Sequence, residues 1–115
     1  MKLKVVALFA LVSLGACKTT EPMYYYGEYS QVVYGYFKAD EMSITQQIDA
    51  LTQIIMVAES TGKPVAPGVH AHLGMLYLES GQSEQGFFHL NQEKILFPES
   101  TGYIDFLLSS AGESA

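Results

Sequence analysis

Val69-His70-Ala71-His72-Leu73-Gly74-Met75-Leu76-Tyr77-Leu78-Glu79-Ser80-Gly81-Gln82-Ser83-Glu84-Gln85-Gly86-Phe87-Phe88-His89-Leu90-Asn91-Gln92-Glu93-Lys94-Ile95-Leu96-Phe97-Pro98 is the stretch that decides the fold. Val69, Leu73, Leu76 and Tyr77 recur at helical spacing until Gly81 interrupts them. Ser83 is placed to cap a second helix, in which Phe87, Leu90 and Lys94 alternate with Phe88, Ile95 and Leu96 until Pro98 stops it. Gly81-Gln82-Ser83 leaves room only for a tight turn, so the two helices run antiparallel. Gly74 and Gly86 lack a Cβ and allow close approach, while Leu73, Tyr77 and Leu90 fill the seam.

Upstream, Ser43-Ile44-Thr45-Gln46 has the spacing of a capping box. Ile44, Ile48, Leu51, Ile54, Ile55 and Ala58 then form one apolar stripe, with Gly62 as a C-terminal stop and Pro64 beyond. A helix over about Ser43 to Thr61 follows. Six of the eight tyrosines lie between Tyr24 and Phe37. There Tyr29, Val32, Val33, Tyr36 and Phe37 have helical spacing. The aromatic and β-branched content favours a strand and Gly35 weakens a helix, but the spacing makes helix the preferred reading. Ser100 is placed to cap a last short helix carrying Ile104, Leu107 and Leu108, and residues 110–115 read as a flexible tail. No strand-type alternation follows residue 40, so the expected class is all-α.

The quoted segment resembles a tetratricopeptide (TPR) repeat. Leu73, Gly74, Tyr77 and Pro98 match that pattern outright, Gly86 and Leu90 are milder replacements, and His70 stands where a Trp is usual. The resemblance implies a TPR-like antiparallel hairpin covering about 34 residues. Pro64 lies one such period before Pro98, a weak hint of an upstream repeat from residues 28–38 and 43–61. One repeat cannot bury its own apolar face, so the flanking helices must serve as neighbours and caps.

The N-terminus carries a second pattern. Lys2 and Lys4 precede an apolar run from Val5 to Leu14, and Leu14-Gly15-Ala16-Cys17 closes it. The run is too short to span a bilayer and reads as a secretory signal. Cys17, the only cysteine, makes it resemble a bacterial lipoprotein signal. That resemblance implies cleavage after residue 16, with lipidation of Cys17 by acyl chains such as palmitate. The organisation expected is signal peptide 1–16, lipidated Cys and tether 17–23, and helical domain 24–109. Lys18 after the cysteine, rather than Asp, implies the outer membrane, with the domain facing the periplasm. Two or three acyl chains hold where one binds reversibly.

Composition narrows the function. Loss of Lys2 and Lys4 leaves four lysines against twelve acids, a formal −8 with no arginine. Nucleic acid is excluded as a partner, since phosphate neutralisation needs clustered basic residues. With its one thiol carrying lipid, the domain has no disulfide. His70 and His72 are two positions apart and point to different sides of a helix, so they cannot share a metal. His89 could approach one of them, but the spacing matches no zinc signature. His70 reads as a seam residue and the other two as surface residues. The acids read as solvated helix exteriors, and no nucleophile elbow or phosphate loop is present. The expectation is a protein with no enzymatic activity, no metal and no cofactor beyond the lipid.

The chain as a whole is similar to a small uncharacterised family of bacterial lipoproteins with a domain of unknown function. The shared features are the lipobox, Tyr25-Tyr26-Gly27-Glu28-Tyr29-Ser30-Gln31, Pro67-Gly68, Leu73-Gly74-Met75-Leu76-Tyr77 and Phe97 to Ser100. Genes of that family often lie beside lipoproteins resembling the curli secretion channel. The resemblance implies an outer-membrane accessory protein and no catalytic residues. One helix face cannot bury six tyrosines, so Tyr29 and Tyr36 are assigned to packing, as is Phe37, while Tyr24, Tyr25, Tyr26 and Tyr34 form the candidate interaction surface. The leading expectation is an adaptor for other envelope proteins or lipoproteins. The alternative is a binder of cell-wall glycan or a small ligand through the Tyr-rich face.

Overall fold

The computed structural model describes residues 23–38 and 42–112, with the backbone alone at Phe37. The expected signal peptide, Cys17 and the tether before Met23 lie outside the described residues, as do the last three positions of the tail.

The chain enters through an extended stretch in which Tyr25 forms an isolated parallel bridge with Val65, its N–H donating to the Pro64 carbonyl at 2.9 Å. Helix α1 then runs Tyr29–Lys38. Gly35 in its interior has a packing reason. A Cβ there would stand 2.9 Å from the Met42 sulfur, so only glycine lets that side chain close over the helix.

Helix α2 spans Ile44–Thr61 and is bounded as its sequence requires. The Gln46 N–H donates to Ser43 Oγ at 3.1 Å, and the Ser43 N–H donates to Gln46 Oε1 at 2.9 Å, closing the capping box. Gly62 takes the left-handed conformation (φ 70°) and its N–H reaches the Ala58 and Glu59 carbonyls. Leu51, Ile54 and Ala58 are buried, Ile48 and Ile55 are half-buried, and Ile44 is exposed at the rim. The buried face extends instead to Gln47, whose Nε2 donates to the Met42 carbonyl at 3.2 Å.

Helices α3 (Val69–Glu79) and α4 (Ser83–Leu96) form the antiparallel hairpin. A Cβ on Gly74 would lie 2.9 Å from both the Gly86 carbonyl oxygen and Leu90 Cγ, and one on Gly86 would lie 3.0 Å from the Gly74 carbonyl. The two glycines therefore set the distance between the helices, and Leu73 and Leu90 are fully buried beside them. The caps differ from expectation. Ser83 is the first helical residue, and Gln82 occupies the cap with no side-chain bond. Pro98–Ser100 form a 3-10 turn leading into α5 (Thr101–Ser110). The Ser100 hydroxyl turns back to the Phe97 carbonyl at 2.6 Å instead of capping α5.

The protein is all-α, and successive helices pack in chain order. Two apolar clusters divide the interior. One joins Val32, Leu51, Ile54, Ala58, Val65, Ala66, Val69, Leu73 and Leu76, and the other joins Ala71, Leu90, Ile104 and Leu108. Each fully buried aliphatic side chain contributes about 1.5–3 kcal/mol. Helix α3 supplies residues to both clusters, so it is the axis of the molecule. No helix among the described residues is long and apolar enough to cross a membrane.

Candidate functional site: two clefts on opposite sides of α3

Helix α3 starts at Gly68, which has φ 94° and no side chain to satisfy the first free N–H groups. A residue 25 positions later does so. Glu93 of α4, only 3% exposed, accepts from the Gly68 N–H at 2.6 Å and from the Ala71 N–H at 3.2 Å. The His70 N–H also contributes. Burial pushes the Glu93 carboxyl above its usual range, against the pull of these backbone donors. This corrects the reading of the acids as uniformly solvated. The sequence signal for it is Gly68 itself, an N-cap with no acceptor, which requires one from elsewhere.

Tyr29 closes over this junction. A Cβ on Gly68 would meet its hydroxyl at 2.8 Å, and burial together with the nearby Glu93 charge raises the phenol pKa. From here a cleft of about 430 Å³ opens between α1, α3 and α5. Its walls include Tyr29 and Tyr36 of α1, His72 and Met75 of α3, and Tyr103 of α5. The Tyr36 ring meets His72 edge-on at 5.0 Å and 78°, and Tyr29 lies 6.2 Å from the same ring. The Tyr36 hydroxyl donates to Glu79 Oε1 at 3.1 Å. Burial lowers the His72 pKa, partly offset by Glu79, and its Nε2 has no hydrogen-bond partner among the described residues. His72 is thus a neutral, half-buried wall of an aromatic groove rather than a surface residue.

The other side of α3 carries His70. Its Nδ1 stands 3.0 Å from His89 Nδ1, while the ring centroids are 5.2 Å apart and the planes differ by 22°. Two ring radii account for the difference between those distances, so the nitrogens point at each other along an edge-to-edge hydrogen bond. One Nδ1 donates and the other accepts, which fixes complementary tautomers. The nitrogens face each other instead of a common third point, and no group of three metal-ligating side chains forms among the described residues. Burial and the adjacent His70 lower the His89 pKa to about 4, and burial lowers that of His70. Tyr77 stacks on His89 at 5.5 Å and 12°. His89, assigned to the surface by sequence, is half-buried here. The pair sits in a second cleft of about 610 Å³, bordered by Met23, Tyr24, Ile55, Phe88, Leu96 and Phe97 among others.

The tyrosines proposed from sequence as a surface separate into three environments. Tyr24 and Tyr25 are half-buried against the first apolar cluster. Tyr24 also meets Phe97 edge-on at 5.9 Å and Tyr26 at 6.5 Å. Tyr26 is exposed, and Tyr34 lies exposed on α1 beneath the Lys38 ammonium, 5.4 Å from its ring centroid. Tyr29 and Tyr36, assigned to packing, do pack on the core and also line the aromatic groove. Tyr103, on the last helix, was not legible as their neighbour because nothing local links positions 36 and 103.

The glycine seam, the lining of both clefts and every helix but the end of α5 fall within residues 23–107, the span matched by a family model. The chain belongs to the family Domain of unknown function (DUF4810). No curated protein and no solved structure gives a match. For this DUF4810 protein, function therefore has to be argued from the two clefts and the surfaces around them.

Proposed function

We propose that this protein is a non-enzymatic, lipid-anchored adaptor of the bacterial envelope, held at the outer membrane through Cys17. It docks a segment of another envelope protein or lipoprotein in the groove between α1, α3 and α5. The observation that carries this reading is the convergence of Tyr29, Tyr36 and Tyr103 from two distant helices on one open cleft, with Met75 and neutral His72 between them. Tyrosine offers large contact area with a polar tip at low entropic cost, and methionine adapts to irregular apolar partners. The acidic balance favours a segment with basic flanks. Secretion-channel-like lipoproteins are the partners that the family resemblance suggests.

The test is a crosslinked pull-down from native membranes. Tyr103→Ala and Tyr36→Ala should each lower partner recovery more than tenfold, as loss of a hot-spot residue does. The helical circular-dichroism signal should stay intact, and Tyr34→Ala, on the exposed part of α1, should leave recovery unchanged. Equal recovery with all three variants overturns the groove as the docking site.

A second reading, a cell-wall glycan or small ligand in the same groove, draws support from the unpartnered His72 Nε2 beside aromatic faces suited to stacking on sugar rings. It predicts retention on purified peptidoglycan without any protein partner, abolished by Tyr103→Ala.

A further inference from the structure

The larger cleft, on the opposite side of α3 from the groove, has a different rim. Phe88 is 56% exposed, Ile95 69%, Leu96 47% and Met23 71%. Phe88 and Ile95 are seven residues apart and share one side of α4, while Phe88 and Leu96 line the cleft itself. Large apolar side chains gathered on one face mark a contact surface. What they contact is indicated by where the chain enters. Met23 is both the first described residue and part of the cleft lining. The six residues from Cys17 to Met23 span at most about 20 Å when fully extended.

We propose that this face rests on the lipid bilayer. The inference depends on the reading of Cys17 as the lipid anchor, because a lipid there lies within about 20 Å of Met23 at this cleft. Phe88, Ile95, Leu96 and Met23 enter the headgroup region. Tyr24, half-buried at the same rim, adopts the amphipathic position that tyrosines favour at a membrane interface. The domain carries a large net negative charge, so this contact is apolar in origin and insensitive to salt. Its orientation presents the aromatic groove away from the membrane, because residues 70 and 72 of α3 point to opposite sides.

The chain contains no tryptophan, which allows a single reporter. Full-length protein bearing Phe88→Trp, Ile95→Trp or Tyr103→Trp is produced in a bacterium and extracted from its membranes. After its mass is measured, it is reconstituted in zwitterionic phosphatidylcholine vesicles with brominated acyl chains. A lipid adduct on Cys17 is expected in the mass. Tryptophan at 88 or 95 should shift to the blue and be quenched at least twofold more than tryptophan at 103, with no change between low and high salt. A mass without acyl groups overturns the anchor and the bilayer contact with it. An acylated protein in which position 103 is quenched as strongly as 88 and 95 overturns the bilayer contact alone and leaves the anchor and the groove standing.

Discussion

A buried carboxylate is costly unless its oxygens are occupied, and Glu93 is occupied by the start of another helix. Glu93→Ala should lower stability by roughly 2–3 kcal/mol, since it leaves buried backbone donors without a partner. Glu93→Gln keeps an acceptor and should recover more than half of that loss, both read by urea unfolding. The histidines give a prediction in pH. His89 is held at about 4 against a free value of 6.5, and His70 and His72 are lowered as well. Between those values the unfolded chain binds more protons than the folded one, so stability is present above about pH 6.5 and is lost as pH falls toward 4. For half-buried His89 the loss amounts to roughly 1–2 kcal/mol once solvent screening is allowed for. Glu93 acts in the opposite direction, because its raised carboxyl takes up a proton earlier in the folded state. The informative measurement is therefore the difference in slope. His89→Gln should flatten the decline between pH 6.5 and 4 relative to the parent protein.

At the level of elements, the sequence shows most where a local rule is self-contained. The capping box at Ser43 and the left-handed Gly62 bound α2 as written, because every partner lies within four residues. Gly74 and Gly86 are legible as a close approach from their spacing in the hairpin. A position is misread where two local bonds compete or where its partner lies far along the chain. The Ser100 hydroxyl turns to Phe97, three residues back, instead of capping α5, and Glu93 serves the start of α3, 25 positions away. Tyr36 and Tyr103 share a groove that only the packing of α5 creates. Two alanine substitutions separate a glycine needed for packing from one that is not. Gly74→Ala forces its Cβ against the Gly86 backbone and should cost about 2 kcal/mol. Gly102→Ala in α5 meets nothing within 4 Å and should gain about 0.5 kcal/mol from helix propensity. Thermal unfolding of the two variants should shift in opposite directions.

For the whole molecule, the dependence of each helix on the next decides stability. Ile104 of α5 is fully buried against Ala71 and Leu90, so the last helix closes the second apolar cluster. Ile104→Ala should cost about 3 kcal/mol, and because both clusters share α3 the unfolding curve should keep a single transition with a lower urea midpoint. The two clefts sit back to back across that same helix. One presents tyrosines, His72 and Met75, and the other presents an apolar rim beside the incoming chain.

The bridge between Tyr25 and Val65 has a mechanical consequence. A pull on the N-terminal end reaches Tyr25 before it reaches α1. There the load passes through the bond from the Tyr25 N–H to the Pro64 carbonyl and the half-buried Tyr25 ring into the segment joining α2 to α3. Force applied at that end is thereby delivered to the middle of the domain, and α1, which forms one wall of the aromatic groove, is spared from being peeled away from its first turn.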